Sequence, residues 1–451
     1  MKNKKNNLLI LGVFITIILY FLFAYKLERT QFYSFLGLYT FLFTGYFYFL
    51  KNKSKNISLL TGISILFRLI FLFSIPNLSQ DFYRFIWDGR MILEGLNPYL
   101  YLPETFINQQ VFPVNQATEL YVGMGKLNGS HYTNYPPINQ LCFIIAAIFA
   151  NKSILGSVIM MRLLIIIADI GIIFYGKKIL KYLKMPAHYI FWYALNPFII
   201  IELTGNLHFE PVMLFFLIYA FYLIIKNKWF WAGFFIALSI SVKLIPLIFL
   251  PLFYQWFVKK ESTLKNGLFN LAIFYLIIIT TVVFLFIPFY SSELISNYSN
   301  SVGLWFRNFE FNASFYYIFR EIGYLFRGYN EIAIIGKITP IITITFIGFI
   351  AFFRKNITLK QLITSALFAL SFYYFTTTTM HPWYLATLIL LCVFTNYKFP
   401  IVWSVVIILS YAAYANETYK ENLLIIALEY IIVYGYLGWE LFFKNKLKLN
   451  S

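Results

Sequence analysis

The sequence has few charged residues, few acidic residues and almost no cysteine, and each shortage excludes a class of protein. Only 12% of its 451 residues are charged, too few to keep a surface of that size soluble, so a soluble globular domain is excluded. Acidic residues number 18, against 36 lysines and arginines. The two cysteines, Cys142 and Cys392, lie singly inside apolar runs. That placement excludes a disulfide framework, a metal knuckle and a redox pair.

The net charge of +18 does not indicate a nucleic-acid partner. The basic residues form short clusters between apolar runs, whereas a nucleic-acid-binding protein gathers them into one patch within a recognisable motif. We therefore predict no nucleic-acid binding.

Hydrophobic residues make up 60% of the chain, and they are concentrated in long runs. A membrane helix needs about 20 mostly apolar residues. Runs of that kind lie at 8–25, 33–50, 57–75, 154–175, 187–203, 209–225, 267–287, 332–353, 360–378 and 422–442. Shorter runs lie at 229–243, 245–257, 383–396 and 399–414. We predict an all-α polytopic bundle of about 12–14 spans, forming one transmembrane domain over residues 1–451.

The distribution of charge predicts the orientation of this bundle. Most basic residues, including Lys51 to Lys55, fall in short loops on the same side as the N-terminus, and Glu261 is the only acid there. The positive-inside rule then places both termini in the cytoplasm, and we expect the protein in the cell (inner) membrane. Two polar segments, the first long loop (76–137) and the second long loop (288–331), face the other side. The amphipathic stretch 138–150 is predicted to lie at that interface.

The first long loop opens with the densest group of charges, in SQDFYRFIWDGR. If this segment is helical, Asp81, Arg84 and Asp88 share one face at i, i+3 and i+7, and Arg90 follows them. The group has two interpretations. It is either a helix start with ordinary Asp–Arg pairing, or a site whose carboxylate acts as a general base, tuned by burial or by an arginine.

A second polar group interrupts the apolar run NPFIIIELTGNLHFEP. Its Asn-Pro pair is expected to break the helix, and Glu202, His208 and Glu210 crowd the outer end. Ionisable residues at membrane depth are functional candidates. His208 and Glu210 are too few to specify a metal site, so we predict no metal or other cofactor.

Lys243 lies between two short apolar runs that we predict to form a hairpin, with the lysine at its tip. Its charge needs an anionic partner, either Glu202 or a phosphate. The alternative is that it extends to the outer headgroups.

His381 and Trp383 follow in TTTTMHPWYL, at the outer end of a span. Trp383 is typical of an interfacial aromatic belt, whereas His381 fits a site better. The second long loop is either a surface for a sugar or lipid headgroup or a plug whose aromatic residues only pack. Its polar and aromatic candidates are Trp305, Arg307, Asn308, Glu310 and Asn312.

These motifs, taken in order, resemble bacterial multi-pass mannosyltransferases of the GT-C class, the polyprenyl-phosphate-mannose-dependent type. The resemblance rests on D-x-x-R-[YF]-x-W-D-G-R, then G-x-N-P-Y, NP…G…H.E, K-x-x-P and H-P-W-Y-L, and it extends from about Ile57 to Leu385. It departs from the class in having two extra spans before the acidic loop.

The resemblance implies a GT-C-type bundle that transfers a sugar, mannose in the commonest members, from a polyprenyl-phosphate donor to an acceptor hydroxyl. The acceptor would be a glycolipid, a glycan or a protein, and membrane lipids surround the enzyme. Asp81 matches the class's catalytic base, and His381 its later histidine. Adding the chemical inferences above, we expect a substrate- and donor-phosphate-binding set of Arg84, Asp88, Arg90, His208, Glu210, Lys243, His381 and Trp383.

The alternative function is a transporter, flippase or polymerase of lipid-linked saccharides. Such a protein is expected to carry charged residues along a path through the bilayer centre. Charged residues at membrane depth, such as Arg162, Asp169 and Glu429, are sparse in this sequence.

Overall fold

The computed structural model describes residues 2–307, 309–416 and 419–444, and within them the chain is built from helices. Asn308 and the side chains of Trp305 and Arg307 lie outside the described residues. So do Lys446, Lys448 and the side chains of Lys2, Lys4 and Lys5, on which the predicted orientation partly rests.

The helices of the first half begin with three apolar ones and continue through the first long loop. Their bounds are α1 Lys2–Tyr25, α2 Phe32–Lys53, α3 Ile57–Leu69, α4 Asp81–Leu93, α5 Pro103–Asn108, α6 Ala117–Gly129, α7 Pro137–Ala150, α8 Ile154–Tyr182, α9 Phe191–Ala194, α10 Pro197–Ile199, α11 Glu210–Ile225 and α12 Trp229–Ile240. A 3₁₀ turn, Ala187–Ile190, precedes α9, and a π-helix, Ile200–Gly205, follows α10.

The second half contains the second long loop and the C-terminal helices. Their bounds are α13 Phe253–Val258, α14 Leu264–Phe286, α15 Leu294–Arg307, α16 Phe315–Arg327, α17 Ile332–Phe353, α18 Leu359–Thr376, α19 Leu385–Val393, α20 Phe399–Val406 and α21 Leu423–Phe442. The 3₁₀ segments here are Ile245–Leu252, Ile287–Phe289, Pro382–Tyr384 and Ile407–Ala415.

These helices confirm a polytopic all-α membrane protein. Among the described residues, five helices are long and apolar enough to cross a membrane, and a sixth span counts if the bent pair of Pro197–Gly205 and Glu210–Ile225 crosses as one. The predicted count of about 12–14 is higher because it counted every apolar run as a crossing, including four short runs taken as two hairpins. Six of the apolar helices have only 10 to 17 residues, and α3 ends at Leu69 within a run that extends to 75.

The Asn196-Pro197 pair breaks the chain as predicted. The side-chain oxygen of Asn196 accepts a hydrogen bond from the amide of Phe198 at 3.0 Å, and Pro197 takes the first helical position. After the π-helix the axis turns by 114° before α11 begins. The bend separates Glu202 from Glu210 and leaves His208 in the break.

Two buried arginines hold this broken region against its neighbours. Arg162 on α8 donates to four carbonyls, those of Leu72, Ser74, Thr204 and Gly205, at 2.8–3.0 Å. The Nε of Arg68 pairs with Asp169 at 2.7 Å. Irregular backbone at membrane depth needs such donors, because no water is present to satisfy its carbonyls. Arg162 thereby fixes both the segment that follows α3 and leads to Asp81, and the break that carries His208.

The first long loop folds into α4, α5 and α6, and α4 packs against α7. Gly89 lies at this contact, where a Cβ would meet the Phe143 carbonyl oxygen at 2.3 Å. The glycine of the W-D-G-R motif is therefore required for close helix packing. The predicted interfacial helix at 138–150 exists as α7 and packs on both α4 and α8.

Gly89→Ala should destabilise the protein by about 2–3 kcal/mol, because the added methyl group forces α4 away from a backbone atom that cannot rotate aside. Thermal unfolding in detergent measures this loss. Gly62→Ala on α3 is the matched control, since a Cβ there meets nothing within 4 Å. Equal melting temperatures for the two variants would contradict the packing argument.

The second long loop is tied to the segment before His381. Phe311 forms an isolated parallel bridge with Thr379: its amide donates to the Thr378 carbonyl at 3.1 Å, and its carbonyl accepts from the Met380 amide at 2.8 Å. The contact joins parts of the chain that are distant in sequence.

Candidate active site

A cavity of about 920 Å³ lies between the first long loop, the second long loop and the 377–384 segment. Six of the residues predicted for the site line it: Asp81, Arg84, His208, Lys243, His381 and Trp383. Asp88, Arg90 and Glu210 do not line it. The predicted residues thus fall into a group that faces the cavity and a group behind its wall.

Asp81 is the first residue of α4, and it is half-buried at the cavity wall. The Asn128 side-chain amide donates to Asp81 Oδ1 at 3.3 Å. Burial raises the pKa of Asp81, while the hydrogen bond from Asn128 and the charges of Lys243 and Arg29 partly oppose the rise. A carboxylate with a raised pKa is a better proton acceptor than an ordinary aspartate, which suits a general base.

Asp88 supports the site from behind the wall. It is buried, pairs with Arg84 Nε at 2.7 Å and accepts from the Gln140 amide at 3.1 Å. Arg84 Nη1 in turn donates to the carbonyls of Asn128 at 2.6 Å and His131 at 2.7 Å. The Asp88–Arg84 pair therefore holds the turn that presents Asn128 to Asp81. Arg84 Nη2 has no hydrogen-bond partner among the described residues.

Arg90, expected in the donor-phosphate set, is buried away from the cavity. Its Nη1 donates to the Asn115 carbonyl at 2.5 Å, and both Nη atoms contact Gln116 Oε1 at 3.3 Å. The guanidinium is thus engaged with the start of α6 and serves the fold of the loop. The rotation of α4 that aims Asp81 and Arg84 into the cavity directs Arg90 elsewhere.

Lys243 sits between α12 and a 3₁₀ segment, at the predicted hairpin tip, and forms an ion pair with Glu210. Glu202, the protein partner proposed from the sequence, is bound instead by the hydroxyl of Tyr411 at 2.5 Å and the amide of Asn206 at 3.4 Å. The assignment of Glu202 was wrong because the 114° bend carries Glu210, not Glu202, toward the hairpin. Glu210 is fully buried and does not line the cavity, so its charge reaches the cavity only through the ion pair with Lys243.

The indole ring of Trp383 stacks with two imidazoles, that of His208 at 4.0 Å and that of His381 at 4.5 Å between ring centroids. Burial, aided by the positive charges of Lys243 and Arg29, lowers the pKa of His381 to about 3. His381 is therefore neutral at physiological pH, and it faces the cavity as a hydrogen-bonding aromatic group.

The described residues contain no cluster of three or more His, Cys, Asp or Glu side chains that could hold a metal ion. His208 Nε2 lies 3.8 Å from Glu202, and Glu210 is taken by Lys243, so the suggested His208–Glu210 pair does not form.

The cavity also contains residues that the sequence analysis missed or left undecided. Phe309, Glu310 and Phe311 of the second long loop line it, so this loop contributes a site surface. The loop also packs as a plug, since the Asn312 amide donates to buried Glu429 at 3.2 Å. The missed residues are Arg29, Asn128, Tyr317, Arg320, Tyr414 and Glu421. The sequence feature that could have identified Arg29 is the charged turn KLERTQ on the predicted outer side. The other missed residues belong to no motif in the sequence.

Comparison with known families matches residues 24–259 to the model of the alpha-(1->6)-mannopyranosyltransferase N-terminal domain. The match includes Arg29, Asp81, Arg84 and Lys243, and it ends before His381 and Trp383. It begins at the end of α1, so α2 belongs to the matched part and is not an extra span. No curated protein matches the chain. The family model covers more than half of the sequence, and the chain therefore belongs to the alpha-(1->6)-mannopyranosyltransferase family and is a multi-pass membrane glycosyltransferase.

Proposed function

We propose that the protein transfers a mannosyl group from a polyprenyl-phosphate-linked donor to an acceptor hydroxyl, with inversion and formation of an α-1,6 linkage. The observation that carries this proposal is Asp81, a cavity-lining carboxylate that forms no ion pair among the described residues and has a pKa raised by burial. The transfer takes place on the non-cytoplasmic face of the cell (inner) membrane, with both termini in the cytoplasm. Family membership supports the sugar, and the distribution of charge supports the side.

The reaction needs one carboxylate and a positively charged cradle. Asp81 takes the proton of the acceptor hydroxyl while that oxygen attacks the anomeric carbon from the face opposite the phosphate. The bond from the anomeric carbon to the phosphate oxygen breaks, and the polyprenyl phosphate leaves with the electron pair. Lys243, which lines the cavity, offsets the charge that develops on this leaving group, and the charge of Arg84 in the same wall adds to this effect.

The transporter alternative has weaker support from the same structure. Its path would need charged groups at membrane depth that are available to a substrate. Arg68 is instead paired with Asp169, and Arg162 is bound to four carbonyls. Glu429 accepts from the indole of Trp403 at 2.8 Å. These groups lie outside the cavity lining and stabilise the bundle.

The direct test uses the purified protein in proteoliposomes with radiolabelled polyprenyl-phosphate-mannose and an acceptor fraction extracted from membranes. We expect label to pass from the lipid donor to the acceptor, and no transfer from a nucleotide-linked mannose. Transfer from the nucleotide-linked sugar alone would contradict the lipid-phosphate donor. Movement of intact donor across the bilayer without transfer would support the flippase alternative.

The pH dependence of kcat/KM should report the pKa of Asp81 in the free enzyme. The base acts only when deprotonated, so activity is present above this pKa and falls as the pH drops through it. Because burial raises the pKa of Asp81, the acidic limb should lie above the ordinary aspartate value of about 3.9. Asn128→Ala should move the limb to still higher pH, since the lost hydrogen bond favours the charged form. A limb that does not move would contradict Asp81 as the base.

A further inference from the structure

Arg29 is a cavity cation that forms no ion pair with a carboxylate among the described residues. It lies in the turn between α1 and α2, outside every motif noted in the sequence. The transfer reaction proposed above releases a polyprenyl phosphate, and Lys243 offsets its charge only in part because that lysine is already paired with Glu210. A positive charge without a carboxylate partner is available in full to the phosphate. The other positively charged residues of the cavity can be compared with Arg29 on this criterion.

Most of those residues are neutralised or screened. Lys243 pairs with Glu210, Arg84 with Asp88, and Arg320 with both Glu310 and Glu321. Lys420 forms no ion pair in the described part of the chain, but it is exposed, so solvent screens its charge. Of the cavity's lysines and arginines, Arg29 alone is both unpaired within the described residues and partly shielded from water.

The position of the Arg29 guanidinium is fixed by an aromatic stack. Its central carbon lies 3.4 Å from the ring centroid of Tyr414, a cation–π contact. Tyr414 in turn stacks on Phe311 at 5.8 Å and contacts Tyr411 at 5.5 Å. The Nε of Arg29 is buried and has no hydrogen-bond partner among the described residues. A guanidinium held in this way offers a fixed set of donors, which suits the bidentate recognition of a phosphate.

We propose that Arg29 binds the phosphate group of the lipid-linked donor and holds it after the sugar has left. The proposal rests on the proposed function and adds the residue that selects an anionic donor. The positive charge of Arg29 also acts electrostatically on Asp81. A phosphate bound by Arg29 is therefore held in the same part of the cavity as the base. The α1–α2 turn is then part of the active site, and it lies within the part of the chain that matches the family.

Arg29→Gln should raise the donor KM and the inhibition constant of polyprenyl phosphate by roughly 10- to 100-fold, the range for loss of a charged hydrogen bond. Arg29→Lys should give an intermediate value, since it keeps the charge and loses the planar fork. Lys26→Gln is the matched control: it removes the same charge from the same turn, and Lys26 does not line the cavity. It should behave like the wild type in both constants.

Inhibition by inorganic phosphate is the second measurement, and it shows whether the site binds a lipid phosphate or a free one. We expect it to inhibit far more weakly than polyprenyl phosphate. If inorganic phosphate inhibits as strongly as the lipid, and does so only when Arg29 is present, the residue serves a free-phosphate site and the proposal is overturned.

The failure of this inference is distinguishable from failure of the proposed function. Wild-type protein that transfers no sugar from polyprenyl-phosphate-mannose would remove the proposed function itself. Wild-type transfer combined with unchanged constants in Arg29→Gln would remove only the role of Arg29. Melting temperatures of the three variants establish that each is folded, and Arg29→Lys provides the comparison should Arg29→Gln lose stability.

Discussion

Asp81→Asn should lower the rate of sugar transfer by roughly 10²- to 10⁴-fold, the contribution expected of a general base. The amide keeps the shape of the side chain but cannot accept the proton of the acceptor hydroxyl. Asp81 forms no ion pair among the described residues, so the melting temperature should stay close to that of the wild type. Initial rates with radiolabelled donor, together with thermal unfolding in detergent, measure the two effects.

Asp88→Asn is the matched control for this result, because it makes the same chemical change about two turns further along the same helix. Asp88 is fully buried against Arg84, so its loss should lower the melting temperature. Activity should fall much less than in Asp81→Asn, because Asp88 acts on the site only through the turn that carries Asn128. A wild-type transfer rate in Asp81→Asn would rule out the proposed base. Equal loss of stability in both variants would mean that Asp81 is structural.

Lys243→Met should destabilise the protein by about 3–5 kcal/mol, because it leaves the Glu210 carboxylate buried without its partner. Glu210 is fully buried while the lysine is 17% exposed toward the cavity. The double variant Lys243→Met/Glu210→Gln removes both charges and should recover most of the lost stability. Thermal unfolding of the wild type and of the two variants measures the difference.

Transfer activity separates the structural from the chemical role of Lys243. The stabilised double variant should remain impaired, since no lysine faces the donor phosphate. Full activity in the double variant would show that Lys243 serves only to neutralise Glu210. A double variant as unstable as the single one would contradict the ion pair itself.

The sequence predicted those structural features that depend on residues close together in the chain. Asp81, Arg84 and Asp88 were expected to share one face if their segment is helical, and α4 contains all three. Asn196 followed by Pro197 predicted a break, because proline removes a backbone donor, and the helix ends there. The hairpin that carries Lys243 followed from two short apolar runs.

Properties that depend on packing between distant segments could not be predicted. The rotation of α4 is set by its contact with α7 at Gly89, and it decides that Arg84 faces the cavity while Arg90 does not. The 114° bend after Gly205 decides that Glu210, not Glu202, meets Lys243. Arg29 became a candidate only once the fold placed its turn beside Asp81.

The contact between the second long loop and the segment before His381 could not be predicted from sequence patterns either. Phe311 meets Thr379 through a single bridge. Because an isolated bridge involves one pair of residues, it leaves no repeating pattern in the sequence. The span count failed for a related reason. Hydropathy shows that a run is apolar, but not whether prolines and tertiary contacts divide it into shorter helices.

The most direct test of the central claim is a structure of Asp81→Asn with bound polyprenyl-phosphate-mannose. We predict that the phosphate lies within hydrogen-bonding distance of Arg29 and Lys243, with the anomeric carbon facing position 81. A donor headgroup bound outside the cavity, or a phosphate that contacts Arg320 and Lys420 but neither Arg29 nor Lys243, would contradict the account.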